Sequence, residues 1–349
     1  GDYSGCDPYK SAGEEKRREE RLKSTRRQKI FSYVPQIVML WALVLFLSAT
    51  EPAFLTKENL SNIFIGQVPF LLLLSLGMTI SVIVRGLDLS IGSNMALSSC
   101  IAGLVMKQAG MLPGILSGLL TGCLLGMANG ILIAKVRLPA FIATYGMDWI
   151  GKGLSYVLMM GTTAYGFSPA FRSLSLGSTV GIPHLLLICL TGFAVVCFLF
   201  SRTVFGWKVY AVGLNTQGAV CSGVEVDRIL TGAYMLNGLL AGLTGLLYIS
   251  QLDAVDPTIG EGWSMKLIAA VLIGGASMKG GRATMGHTLF GVLILAILTN
   301  GINLWGVSSL WQQVVTGCVI LFSILLEQSS RLFRAYMEKR QWEQKEKKI

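Results

Sequence analysis

The 349-residue sequence is short of charge. Asp, Glu, Lys and Arg make up 14% of it, where a soluble domain carries roughly 25%. A water-facing shell of the usual size cannot be built from so few charges, which excludes ordinary soluble folds. Histidine is nearly missing: only His184 and His287 occur, and neither has a second ligand-type residue beside it. Both read as packing or interface residues. There is no HExxH and no G-x-S-x-G, so the chemistry those motifs mark has no support here. The phosphate cradle G-x-x-x-x-G-K-[ST] is also missing; the nearest text, WIGKGLS, lacks its spacing. The seven cysteines form no CxxC pair and fall mostly in apolar runs. They read as small core residues, not as disulfides or metal ligands.

What the sequence has in quantity is apolar length. Hydrophobic residues make up 52% and the mean hydropathy is +0.61. Several runs reach about 20 residues, the length that crosses a bilayer as helix. Ten segments are predicted, at 33–50, 62–84, 89–106, 111–134, 138–159, 183–201, 229–250, 263–278, 283–303 and 307–327. All are helical, because an open sheet edge leaves backbone polar groups unsatisfied in lipid. The expected fold is an all-α polytopic membrane protein with about ten transmembrane helices, some of them glycine-broken or re-entrant. Segments 89–106 and 263–278 are the short ones, read either as full spans or as re-entrant pieces. A charged tail, 1–32, precedes the membrane domain at 33–328, and a basic tail, 329–349, follows it. No apolar stretch precedes the first span, so no cleavable signal peptide is expected.

The net charge of +10 suggests nucleic acid in a soluble protein. Here the positive residues gather in the tails and in every second turn, at Arg85, Lys135, Arg137, Arg202, Lys208, Arg228, Lys279 and Arg282. The other turns hold Glu51, Glu58, Asp253, Asp256 and Glu261. That asymmetry predicts a multi-pass chain with both termini cytoplasmic, a bilayer as its partner and no nucleic acid.

Three stretches interrupt the apolar pattern. In VRGLDLSIGS, 84–93, Arg85 and Asp88 lie between two spans. A charge at membrane depth is costly, which makes these residues functional suspects. Gly86 and Gly92 allow a helix to break. Ser90 and Ser93 are expected to cap the restarted helix, with Asp88 held by backbone donors or by Arg85. The second stretch, 201–228, is the longest turn. Its NTQGAVCSG segment predicts a short helix of small residues with Asn215 as N-cap; such a helix suits docking in another protein's groove. The third, VLIGGASMKGGRATMGH at 271–287, loosely echoes the first, as an internal repeat does in transporters. Inside the spans, Asn94, Asn129, Thr144, Asp148, Asn237, Asn300 and Gln312 either bond neighbouring helices or line a polar path. With Asp88 and Ser90 they form the candidate translocation or gate set, Asp148 and Gln312 excepted.

Five blocks in order resemble the permease subunits of bacterial ABC importers of the ribose, galactose and xylose type: GLDLSIGS (86–93), NGILIAKVRLPAFIATYGM (129–147), FGWKVYAVGLNTQGAVCSGVEVDR (205–228), IAAVLIGGASMKGGRATMG (268–286) and GINLWGVSSLWQQVVTGCVILFSILL (301–326). The resemblance covers about residues 33 to 328. It implies a permease in the bacterial cytoplasmic membrane that pairs with a second permease copy. A cytoplasmic ATPase would drive it, and an extracytoplasmic solute-binding protein would load it with a small hydrophilic solute, a monosaccharide above all. Transport would proceed by alternating access. The chain would be no enzyme and bind no cofactor, ATP and Mg belonging to the ATPase. By the same likeness, Asn215, Gly218, Ala219, Ser222 and Gly223 belong to the helix that couples to the ATPase. The sequence departs from the family at GEGWSMKLIAAV, where Lys266 follows Ser264 and Met265 and the acidic residue sits at Glu261; this bears on which ligand is delivered. The competing reading is an ion-coupled secondary transporter built on Asp88 or Asp148.

Overall fold

The computed structural model describes residues 33–308 and, beyond them, positions 311, 314, 315, 317, 318, 321 and 325. Both predicted tails and most of the segment predicted at 307–327 lie outside the described residues.

The remaining nine segments are all helices. They are α1 (Val34–Thr50), α2 (Lys57–Ile83), α3 (Ile91–Ala109), α4 (Met111–Ala134), α5 (Ala140–Met159), α7 (His184–Arg202), α10 (Val226–Leu252), α11 (Trp263–Ile273) and α12 (Met285–Leu304). Shorter helices lie in the connections: α6 (Pro169–Leu176), α8 (Val204–Leu214) and α9 (Thr216–Cys221). Five of the helices are long and apolar enough to cross a membrane on length and composition. Helix starts follow local chemistry. The Thr56, Ser168, Thr203, Asn215 and Thr284 side chains each accept a backbone N–H in the first turn of the helix they precede.

α2 is the central element. Every residue from Val68 to Ile83 is buried. Pro69 cannot donate into the ladder and its ring crowds the preceding turn; there, residues Asn62–Gln67 widen to π-helical geometry. Around α2 pack α7, α10, α11 and α12. α4 and α10 form the closest pair, through backbone rather than side chains. A Cβ on Gly238 would strike the carbonyl oxygen of Gly122, and one on Gly122 would strike that of Gly238. This is the small-residue seam by which helices associate where burial in lipid offers no hydrophobic gain.

The outer helices present apolar faces. α4 exposes Leu112, Leu116, Leu120 and Leu124, and α7 exposes Leu187, Leu190, Val195 and Phe198, at helical spacing. Two short sheets sit in the connections. β1 (Ala164–Tyr165) pairs antiparallel with β4 (Ala254–Val255), and β2 (Ser178–Thr179) with β3 (Ile182–Pro183). The β1–β4 pair joins the α5–α6 connection to the end of α10, opposite the end of α10 that follows α9.

Two predicted spans are discontinuous. α3 begins only at Ile91, after an irregular stretch from Val84 to Ser90. Ser90 and Asn94 contact Asn129 and Gly122 of α4, well inside that 24-residue helix. The restart is therefore at depth, not at an end. α11 has 11 residues, not the predicted 263–278. At 1.5 Å per residue it is about 16 Å long, half the hydrocarbon thickness of about 30 Å. Gly275, Gly280 and Gly281, all at positive φ, turn the chain after it. The two interrupted segments meet: a Cβ on Gly92 would strike the Gly260 carbonyl oxygen, and the Ser264 hydroxyl donates to the Leu89 carbonyl at 2.7 Å.

Candidate functional site

The irregular stretch 84–90 is held at both ends, by different chemistry. At its inner end lies Asp88, 2% exposed. Its carboxylate accepts from the Ser90 backbone N–H at 2.9 Å, from the Ser90 hydroxyl at 2.6 Å and from Asn237 Nδ2 of α10 at 2.7 Å. No cation pairs with it among the described residues. Three donors and the N-terminus of α3 hold the charge instead. Of the two holders expected for Asp88, the backbone donor is present and Arg85 is not. The expected cap is absent too: Ser90 occupies the N-cap position of α3, but its hydroxyl serves Asp88 and makes no cap bond. The Ser93 hydroxyl donates back to the Ser90 carbonyl.

The network spreads from there. Asn129 of α4 donates to the Ser90 hydroxyl at 2.7 Å. Asn237 also donates to Ser81 of α2 at 3.0 Å. Asn94 donates to the Gly122 carbonyl and accepts from Ser98. Thr144 of α5 clamps the stretch itself, accepting from the Leu89 N–H and sharing its own proton between the Leu87 carbonyl and that of Ala140. Six of the seven candidate pathway residues thus converge on one buried cluster between α2, α3, α4, α5 and α10. The seventh, Asn300, lies apart. It forms a reciprocal amide pair with Asn59 that ties the end of α12 to the start of α2. The cluster is not saturated. Asn129 Oδ1 and Asn237 Oδ1 in it, and Tyr234 Oη against Gly86, are buried without a hydrogen-bond partner. Partly satisfied buried polar groups are costly.

At the outer end, Arg85 has φ +65°. It occupies the turn that closes α2: its N–H bonds the Val82 carbonyl and the Gly86 N–H bonds that of Ser81. Glycine is the usual residue there; a side chain at such φ costs roughly 1–2 kcal/mol. The side chain turns away from Asp88. Its Nε donates to the Gly213 carbonyl at 2.7 Å and its Nη2 to the Leu214 carbonyl at 2.5 Å. The segment 274–284 closes on the same point, with the Gly281 N–H donating to the Ile83 carbonyl at 2.8 Å. The three interruptions in the sequence, 84–93, 201–228 and 271–287, therefore meet around Ile83 and Arg85. No sequence signal marks this contact beyond the presence of glycines at 213, 280 and 281.

The next residue after Leu214 is Asn215, and it is the N-cap expected of it, accepting from the Gly218 N–H at 3.0 Å. α9 follows and is closed by Gly223 at φ +77° and by the Val224 N–H bonding the Ala219 carbonyl. Ala219 faces its own chain at 5% exposure. Gln217, Val220, Cys221 and Ser222 face outward.

α5 differs from the other peripheral helices. Its outward face carries Tyr145 and Trp149, and Gly146 and Gly153 with no neighbour within 4 Å of a built Cβ. Asp148, on the buried side, pairs with the half-buried Lys152 at 2.7 Å, and the Lys152 ammonium lies 5.7 Å from the Trp149 ring centre. Lys266 on α11 is half-buried and has no ion-pair or hydrogen-bond partner among the described residues. No grouping of His, Cys, Asp and Glu suited to a metal ion occurs among the described residues.

A discontinuous helix pair inside an all-helical bundle, joined to a small exposed helix at one end, defines a membrane transport component. The sequence matches the family described as branched-chain amino acid transport system / permease component over residues 60–324, and the chain belongs to it. It is similar to the ribose import permease protein RbsC of Bacillus subtilis (strain 168), 40% identical over 291 residues, covering 82% of this chain and 90% of the relative. It is also similar to the L-arabinose ABC transporter permease protein AraH of Azospirillum brasilense, 33% identical over 305 residues, 86% of this chain and 89% of the relative. The D-allose transport system permease protein AlsC of Escherichia coli (strain K12) is 32% identical over 289 residues, 81% and 87%. No solved structure matches the chain. The chain is a transport subunit, not an enzyme, and the ion-coupled alternative finds no support.

Proposed function

We propose that this chain is the permease subunit of an ATP-driven importer of a monosaccharide, in the cytoplasmic membrane of a bacterium with both termini cytoplasmic. The family description speaks of branched-chain amino acids, but the relatives above carry ribose, arabinose and allose in their names. The substrate is a pentose or hexose. ATP and its Mg²⁺ are handled by a separate ATPase, and an extracytoplasmic binding protein delivers the sugar.

The observation that carries this reading is the junction at Arg85. α9 is the outward-facing helix on which an ATPase can act, and two hydrogen bonds link its leading elbow to the stretch whose other end is Asp88. Movement at α9 thereby reaches the buried cluster where the interrupted spans meet. Asp88, Ser90, Asn94, Asn129, Thr144 and Asn237 form the gate in this reading: they hold the break in one of two arrangements. Asn300 fixes the far end of α12. The face of α5 lines the path, against a second copy. Its Lys152 and open glycines suit water and protein, whereas the leucine faces of α4 and α7 suit lipid.

The test is ATP hydrolysis by the complex reconstituted with its ATPase and binding protein. The binding protein loaded with D-ribose, L-arabinose or D-allose should stimulate turnover, and L-leucine should not. Stimulation by L-leucine alone would overturn the sugar assignment.

A further inference from the structure

We infer that Arg85 is a positioning residue of the transport cycle: a strut that transmits movement of the α8–α9 elbow to the intramembrane break at 84–90. The inference rests on the function proposed above and adds a residue that the resemblance did not point to.

Four observations converge. Arg85 holds a left-handed backbone where glycine is unstrained, so its side chain is retained against a local cost and strain of that kind points to a use. The guanidinium is not spent on Asp88, the nearest acid in sequence, nor in any ion pair among the described residues. It grips two successive carbonyls, Gly213 and Leu214, in the fork geometry that a guanidinium provides and an ammonium does not. Those carbonyls belong to the last turn of α8, immediately before the cap residue Asn215 of α9. Finally, the junction has no slack. A Cβ on Gly213 would strike the Ile83 carbonyl oxygen, and one on Gly280 would strike Arg85 Cγ. A displacement of the elbow is therefore passed to residue 85 instead of being absorbed. From Arg85 only Gly86 and Leu87 intervene before Asp88, and Thr144 grips the Leu87 carbonyl and the Leu89 N–H.

The decisive variant is Arg85→Gly, because glycine relaxes the backbone while it removes the strut. The purified complex with ATPase and binding protein is the sample. Complex yield and unstimulated ATP hydrolysis should match the native complex. Stimulation by ribose-loaded binding protein, and ribose uptake, should fall at least tenfold. Arg85→Lys, which reaches one carbonyl at a time, should recover part of the loss. A sugar-independent readout accompanies these: ATP should alter hydrogen exchange of the 86–90 amides in the native complex and leave it unchanged in Arg85→Gly. Uptake within twofold of native would overturn the strut, as would a complex that no longer assembles, since Arg85 would then serve docking. A native complex that ribose-loaded binding protein does not stimulate would instead count against the sugar assignment, and the exchange measurement would still judge the strut.

Discussion

The Asp88–Asn237 contact can be tested by exchanging its partners. In Asp88→Asn, the new amide oxygen can still accept both Ser90 donors, but its NH2 group then faces the Nδ2 of Asn237, 2.7 Å from the replaced oxygen. One charge-assisted bond is lost and two donors oppose each other in a buried site. Hydrogen bonds to charged groups contribute roughly 1.5–3 kcal/mol and an orphaned buried donor costs a further 1–3. The expected loss is about 3 kcal/mol, or a factor of about 150 in the folded population. Asn237→Asp alone should be worse, because it sets two carboxylates against each other. Combining Asp88→Asn with Asn237→Asp restores the geometry in mirror image. The amide now at position 88 accepts from Ser90 and donates to the carboxylate now at position 237. That carboxylate also accepts from Ser81, which already faces the position at 3.0 Å. Denaturant titration of the purified chain measures all four members of the cycle. A favourable coupling of about 1.5 kcal/mol or more is expected, within the range seen for contacting residues. If the double variant loses the sum of the two single losses, the Asp88–Asn237 bond is not what holds the break.

Gly238→Ala drives a methyl group into the Gly122 carbonyl oxygen; helix propensity returns about 1 kcal/mol, so a net loss of about 1–2 kcal/mol is expected in the same titration, and Gly238→Leu should abolish folded protein. Asn215→Ala removes the α9 cap at a cost of about 1 kcal/mol and should lower ATPase-complex yield, whereas Gly218→Glu should abolish ATPase association in co-purification without lowering the melting temperature of the isolated chain. Asp256 lies outside the spans, where hydrogen bonds from Thr258 and Thr163 hold its carboxyl below the usual carboxylate range. A depressed pKa contributes stability above the unfolded value, near 3.9, and loses it as pH falls through the folded value. The protection of the 163–166 amides against hydrogen exchange, relative to their intrinsic rates, should accordingly hold at pH 5 and fall only on stronger acidification, and Thr258→Val should move that onset to higher pH.

The sequence showed the helices better than the contacts. α4 matches the predicted 111–134 at both ends because a leucine-rich run is bounded by Gly110 and by the Lys135–Arg137 turn. α11 ends five residues before the predicted 278: Gly274, Gly275 and Ala276 are as apolar as a helix interior, and only their backbone angles end it. The break at 84–90 was legible from a charge and two glycines inside apolar text. Its bonding was not. Arg85 and Asp88 lie three apart, a spacing that invites a pair, yet the turn closing α2 sends their side chains in opposite directions. Asn215 behaved as a local rule requires, since a cap bonds its own helix. Asn237 and Asn129 met Asp88 and Ser90 across long sequence separations that no local pattern encodes. Asn300 shares only its residue type with them, and its partner Asn59 carries no signal in the sequence.

The central claim is that ATP turnover on a partner, not an ion gradient, moves solute through this chain. Proteoliposomes holding the chain with its ATPase, and given binding protein and radiolabelled D-ribose, test it directly. The account predicts accumulation that needs ATP, persists when proton and sodium gradients are collapsed, and vanishes when the ATPase is left out. Accumulation by the chain alone under a proton or sodium gradient would contradict it.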